Sequence, residues 1–116
     1  MDVVIYSINK IRGGITQKIL ERSSIKSILT SRIYELKDAI LKYKPNLLVI
    51  DSKDTIKNEI NLVNQMVIEM GINKVLWLSD PFVPEMIISE VKELLSQEEP
   101  ANNDSMYENL KQFLNL

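Results

Sequence analysis

Asn46-Leu47-Leu48-Val49-Ile50-Asp51 is an apolar run that opens behind Pro45 and closes on an acid. Four consecutive large aliphatic residues without polar alternation are what a strand buried on both faces requires. Upstream, Ile33, Leu36, Ile40 and Tyr43 step by three, four and three along one helix face, and Pro45 ends that helix. Downstream, Ile56, Ile60, Val63, Val67 and Met70 step by four, three, four and three, the most regular amphipathic pattern in the chain. Gly71 stands where a helix C-terminus takes a left-handed residue. A buried strand between two helices is half of a parallel, helix-covered sheet.

The pattern repeats outward in both directions. Val3-Val4-Ile5-Tyr6 predicts a first strand. Ile11, Ile15 and Ile19 predict the apolar face of a helix from about Asn9 to Arg22, although Gly13-Gly14 weakens its first turns by about 1 kcal/mol per glycine. Ile25 to Leu29 is a more polar strand, suited to a sheet edge. Lys74-Val75-Leu76-Trp77-Leu78-Ser79 predicts the fourth strand, with Trp77 in the core. Asp80-Pro81 supplies an N-cap and first-turn proline for a helix running to about Leu95.

The resulting order, βαβαβαβα, predicts an α/β domain with a doubly wound parallel sheet of flavodoxin-like type: four clear strands, and no fifth apolar strand after Ser79. The domain is expected over residues 1–96. Residues 97–116 read as a polar linker and a short C-terminal amphipathic helix, with Ser105 and Glu108 as a capping box and Met106, Leu110, Phe113 and Leu114 on one face.

Composition narrows the chemistry. The 116 residues are 45% hydrophobic and 26% charged, globular usage that fits one domain. Fourteen basic and sixteen acidic residues leave a formal charge of −2, so the overall field predicts neither a nucleic-acid nor a membrane partner. Absence of cysteine excludes disulfides and thiolate chemistry, and absence of histidine removes the usual general base and metal ligand. The acid at Asp2 and the brevity of the following apolar run argue against a signal peptide or membrane span, so a cytoplasmic protein is expected.

In an open parallel sheet, ligands bind beyond the carboxyl ends of the strands where strand order reverses. That rule selects Tyr6, Ser7, Ile8 and Asn9, the stretch Asp51 to Asp54, and Ser79 with Asp80. Two readings compete for the acids. In one, Asp51, Asp80 and Asp54 hold a divalent cation; in the other, Asp54 and Asp80 are helix N-caps and Asp51 is a solvated loop acid. Gly13-Gly14 matches neither phosphate-binding glycine pattern. Lys10, Arg12, Lys18 and Arg22 read as a solvated basic helix face.

Lys44-Pro45-Asn46-Leu47-Leu48-Val49-Ile50-Asp51 resembles the third strand of response-regulator receiver (CheY-like) domains, which ends on the phospho-accepting aspartate. The register continues through Ile60, Leu62 and Leu76-Trp77-Leu78-Ser79, and backward through Arg12, Gly14 and Leu20, where it is similar to receivers that precede LuxR-type DNA-binding domains. The resemblance spans roughly residues 2 to 80 and implies a flavodoxin-like fold, with Asp51 at the phospho-acceptor position and Ser79 at the conserved-hydroxyl position. It departs where the family keeps its chemistry. Tyr6 and Ser7 replace the paired acids that hold magnesium, Ser52-Lys53-Asp54-Thr55 replaces the loop after the acceptor, and no lysine corresponds to that of the fifth strand.

These readings predict a non-enzymatic signalling module, a pseudo-receiver that binds a protein partner or itself, possible homodimer included. No cofactor is expected, weak magnesium at Asp51 being the competing reading. The alternatives are an atypical receiver phosphorylated on Asp51 and a small flavodoxin-like ligand-binding protein or enzyme. Phe82, Met86, Ile87, Ile88, Val91, Leu94 and Leu95 make the fourth helix apolar on more than one face. Phe82, Met86, Ile88, Leu95 and Phe113 are the candidate interaction surface, unless the C-terminal helix folds back to cover it. With no room for an output domain after residue 80, output is expected from partners or from a longer protein.

Overall fold

The computed structural model describes residues 2–78 and 80–97. In chain order the elements are β1 (Val3–Ser7), α1 (Lys10–Arg22), β2 (Ser27–Thr30), α2 (Ile33–Tyr43), β3 (Leu47–Asp51), α3 (Lys57–Glu69), β4 (Val75–Leu78) and α4 (Pro84–Ser96). The described strands form one parallel sheet in the order β2-β1-β3-β4. The flavodoxin-like α/β architecture is as the apolar pattern predicts. β1 and β3 are central and buried along their whole length, which is why their sequences do not alternate. β2 takes one edge, starting at Ser27; Ile25 instead closes the turn after α1, its N–H donating to the Leu20 carbonyl while its side chain enters the core.

Two apolar clusters lie on opposite faces of the sheet. Val3, Ile5, Leu47, Val49 and Leu78 meet Leu20 of α1 and Ile87 and Val91 of α4. Val4, Tyr6, Leu48 and Ile50 meet Leu36, Ala39 and Ile40 of α2 and Val63 of α3. Alternate residues along each central strand serve alternate faces, so the sheet is wound on both sides. Helix ends follow local chemistry: Lys44 takes a left-handed φ of 46° at the end of α2, ahead of Pro45, and Gly71 takes φ 65° just after α3.

Several expectations are corrected. Of the expected isoleucine face, α1 buries Ile19 but neither Ile11 nor Ile15. Ile11 is 77% and Ile15 43% exposed, while Gly13, Thr16, Ile19 and Leu20 are buried. Small residues let the helix lie close to the sheet, and a Cβ on Gly13 would stand 2.5 Å from Leu29 Cδ1. α3 buries only Val63 completely, and Ile56, the residue at its N-cap, is exposed. α4 begins at Pro84 behind Val83, not at Asp80-Pro81. Pro84 occupies the first turn, where its missing N–H costs nothing, and it favours the extended backbone seen at Val83. Trp77 is 37% exposed rather than core. The C-terminal amphipathic helix expected over 105–114 lies outside the described residues, as does Ser79.

Candidate functional site

The site is assembled at the carboxyl ends of β1 and β3, which lie side by side with Ser7 paired to Asp51. Asp51 is 1% exposed and is the last residue of β3. Its neighbours come from three directions. Arg12 donates from Nε to Oδ2 at 2.8 Å and from Nη2 to Oδ1 at 3.1 Å, a bidentate pair. The Lys53 backbone N–H donates to Oδ1 at 3.2 Å. The Ser7 hydroxyl lies 3.0 Å from Oδ2 and 2.9 Å from the Asn9 carbonyl, and with one proton it serves one of them at a time.

Local sequence explains why Arg12 arrives there. Asn9 caps α1, its Oδ1 accepting from the N–H groups of Ile11 and Arg12, and that cap fixes Arg12 in the first turn facing the strand ends. The Thr16 hydroxyl donates to the Arg12 carbonyl at 2.9 Å. Beyond Asp51, the guanidinium reaches Asp80 Oδ1 at 3.4 Å and lies 4.6 Å from the centre of the Phe82 ring. Lys53 Nζ is 3.8 Å from the other Asp80 oxygen. Hydrogen bonds to Asp51 raise the Arg12 pKa above its already high value, desolvation works against this, and the charges of Asp51 and Asp80 add to the rise. Arg12 therefore ties α1 to β3 and to the segment leading into α4. An open cavity of about 320 Å³, lined by Arg12, Ser52, Lys53, Trp77, Leu78 and Asp80, sits above it.

The acids selected from sequence are brought to this end of the sheet but do not converge on one point. Asp54 has a left-handed φ of 64° and accepts from Asn9 Nδ2 at 3.3 Å; Asp80 is 62% exposed and, among the described residues, meets Arg12 and Lys53. Neither acid is a helix cap, since Ile56 and Val83 hold those positions. Nor is Asp51 a solvated loop acid. Among the described residues, no group of three or more potential protein ligands could hold a metal ion. Tyr6 and Ser7 stand where the resemblance implies a pair of acids, and both Asp51 oxygens accept from Arg12.

Arg12 is the residue that sequence reading placed on a solvated helix face. The signal that would have found it is the combination of Asn9 as a cap with an acid ending the neighbouring strand. Of the candidate interaction residues, Met86 is 56% exposed, Phe82 packs half-buried beneath Arg12, and Ile88 and Leu95 are half-buried. Phe113 lies outside the described residues.

Tyr6 points to the other face, where its buried hydroxyl donates to Glu59 Oε2 at 3.4 Å. Burial first, then the charge and hydrogen bond of Glu59, push its pKa from 10.0 up to about 12. The unfolded chain releases this proton near its ordinary value while the folded state keeps it, so stability is expected to fall as pH rises from about 10 to about 12. Tyr6→Phe should flatten that segment of a stability-against-pH curve measured by urea unfolding.

No protein-family model and no curated protein sequence matches the chain. Solved structures do. The chain is similar to a response regulator from Thermotoga maritima, with a TM-score of 0.69 at 16% identity over 84% of this chain and 99% of that one. It is also similar to a response regulator receiver protein from Burkholderia phymatum, TM-score 0.58 at 16% identity over 86% and 99% of the two chains. The non-phosphorylated HemR receiver domain from Leptospira biflexa gives a TM-score of 0.58 at 12% identity over 85% and 97%. The chain has the receiver-type fold. Among the described residues no helix is long and apolar enough to cross a membrane.

Proposed function

We propose that this domain is a non-enzymatic signalling module, a pseudo-receiver that works by binding a protein partner, or a second copy of itself, in the cytoplasm. The observation that carries the reading is the bidentate Arg12–Asp51 pair. In phosphoryl transfer to a carboxylate, one oxygen must be free to attack while cations neutralise the transferring group. Here a side chain already neutralises Asp51, and its oxygens accept from Arg12 and from the Lys53 N–H, with Ser7 also in reach. A carboxylate held this way serves as a structural link between α1 and β3, and it needs no magnesium.

The test is incubation of the protein with magnesium and a small-molecule phosphodonor, read by intact mass and by Trp77 emission, with Asp51→Asn as control. No hydroxylamine-labile phosphoryl adduct and no magnesium-dependent change at Trp77 are expected. A stoichiometric adduct lost in Asp51→Asn would overturn the reading in favour of an atypical receiver.

A further inference from the structure

The two outer edges of the sheet are finished differently. In a parallel pair, alternate residues of an edge strand turn their N–H and C=O groups toward the neighbouring strand, and the residues between turn them outward. On β2 the Lys26 carbonyl accepts from the Val3 N–H, so Ser27 and Leu29 are the residues that face outward. There Gln17 of α1 reaches round the edge, its Nε2 donating to the Ser27 carbonyl at 3.3 Å. On β4 the Lys74 carbonyl accepts from the Leu48 N–H, which leaves Val75 and Trp77 facing outward. Among the described residues no strand pairs with this edge and no side chain caps it. β4 also lacks the usual guards of an exposed edge: Val75-Leu76-Trp77-Leu78 holds no charge and no proline, and its register runs without a bulge.

What this edge fits follows from its symmetry. The outward residues Val75 and Trp77 stand one on each side of Leu76. A two-fold axis through Leu76, perpendicular to the sheet, lays a second β4 antiparallel to the first, with each Val75 opposite the other copy's Trp77. Residues opposed in this way exchange both of their hydrogen bonds, so every outward N–H and C=O of β4 finds a partner at once. A register centred on Val75 or on Trp77 would satisfy only half of them within the strand. The side chains agree with the pairing. Val75 packs with Val67 and Met70 on the α3 face, and strand alternation puts Trp77, 37% exposed, on that face too. An aromatic residue beside a β-branched one is a cross-strand pair that stabilises antiparallel sheets. On the opposite face Leu76, half-buried at the rim of the other cluster, meets its own copy across the axis, where non-hydrogen-bonded neighbours approach most closely. The surface is thus self-complementary, as an isologous contact between two identical chains requires.

We propose that the domain forms a two-fold homodimer by antiparallel pairing of β4 with β4 of a second copy, in the register that sets Val75 opposite Trp77. The dimer rests on the reading of the domain as a binding module and gives that role a surface and a partner; it can fail while the phosphodonor test still comes out as expected. Sedimentation equilibrium of the full chain, from micromolar to millimolar concentration, should show one chain giving way to two. Trp77→Lys, which sets a charge on the edge, should stay a single chain over the same range. Amide hydrogen exchange on the unaltered protein is a second, independent readout. The N–H groups of Leu76 and Leu78 point to β3 and should be protected at every concentration. Those of Val75 and Trp77 should slow by about tenfold once roughly nine-tenths of the chains are paired, because exchange then waits on dissociation. Slow exchange of these two amides already in the dilute single chain would mean that the chain covers its own edge, and fast exchange at every concentration would mean that the edge stays open. A dimer that leaves both amides fast, or that survives Trp77→Lys, would place the contact elsewhere. Each of these results rejects the β4 pairing.

Discussion

Arg12→Ala is expected to destabilise the fold by about 3–5 kcal/mol, the usual cost of stranding one member of a buried ion pair. The stranded group is Asp51, 1% exposed at the end of a central strand, left with the Lys53 N–H and the Ser7 hydroxyl. Asp51→Asn combined with Arg12→Ala should recover much of the loss, because a neutral amide at that site no longer demands a cation. Arg12→Lys should fall between wild type and Arg12→Ala, since an ammonium cannot form the fork that reaches both Asp51 oxygens and stacks on Phe82. Urea unfolding of the wild type, Arg12→Ala, Asp51→Asn and the double variant closes the cycle, with Arg12→Lys measured beside them. A loss below about 1 kcal/mol for Arg12→Ala would mean that water solvates Asp51 as it does a surface acid, and the structural link would have to be abandoned.

The second large effect concerns adjacent glycines with opposite requirements. A Cβ at Gly13 would meet Leu29 Cδ1 at 2.5 Å and Leu29 Cδ2 and Ser7 Cβ each at 3.2 Å, while a Cβ at Gly14 meets nothing within 4 Å. Gly13→Val should therefore cost about 1–3 kcal/mol through overpacking, only partly offset by the helix preference of a residue with a side chain. Gly14→Ala should stabilise by about 0.5–1 kcal/mol, because it relieves the helix of a glycine and adds no contact. The readout is the urea midpoint at unchanged slope. The same sign at both positions would contradict the close approach of α1 to β2.

These glycines also show where sequence reading stops. The order of elements, the central position of β3 and the inward residues Leu36, Ile40 and Val63 were legible because hydrophobic spacing reports burial directly. On α1 the spacing misled, since Ile11 and Ile15 recur at four residues yet face water. That helix is oriented by what is small, Gly13 and Thr16, and closeness of approach has no hydrophobic signature. The start of α4 was placed at Asp80-Pro81, whose acid and proline match the usual helix opening, whereas the helix opens at Pro84 behind Val83, a residue with no capping side chain to announce it. Asp51 was found from its place at the end of β3, but its partner was not. Arg12 is 39 residues away, and only the parallel pairing of β1 with β3 brings the two together.

The strand pairing also sets an order of events on the ribosome. β1, with five successive buried residues, is synthesised before either neighbour, although it ends up between them. Val3 pairs with Ser27, 24 residues later, and with Leu47, 44 residues later. During elongation this apolar segment has at most the β2 side to lean on until β3 emerges, and β2 is the more exposed strand of the two. Parallel pairings of this separation form slowly and leave strand edges open to other chains. The interval between the emergence of residues 7 and 51 is thus when the nascent chain most needs a chaperone.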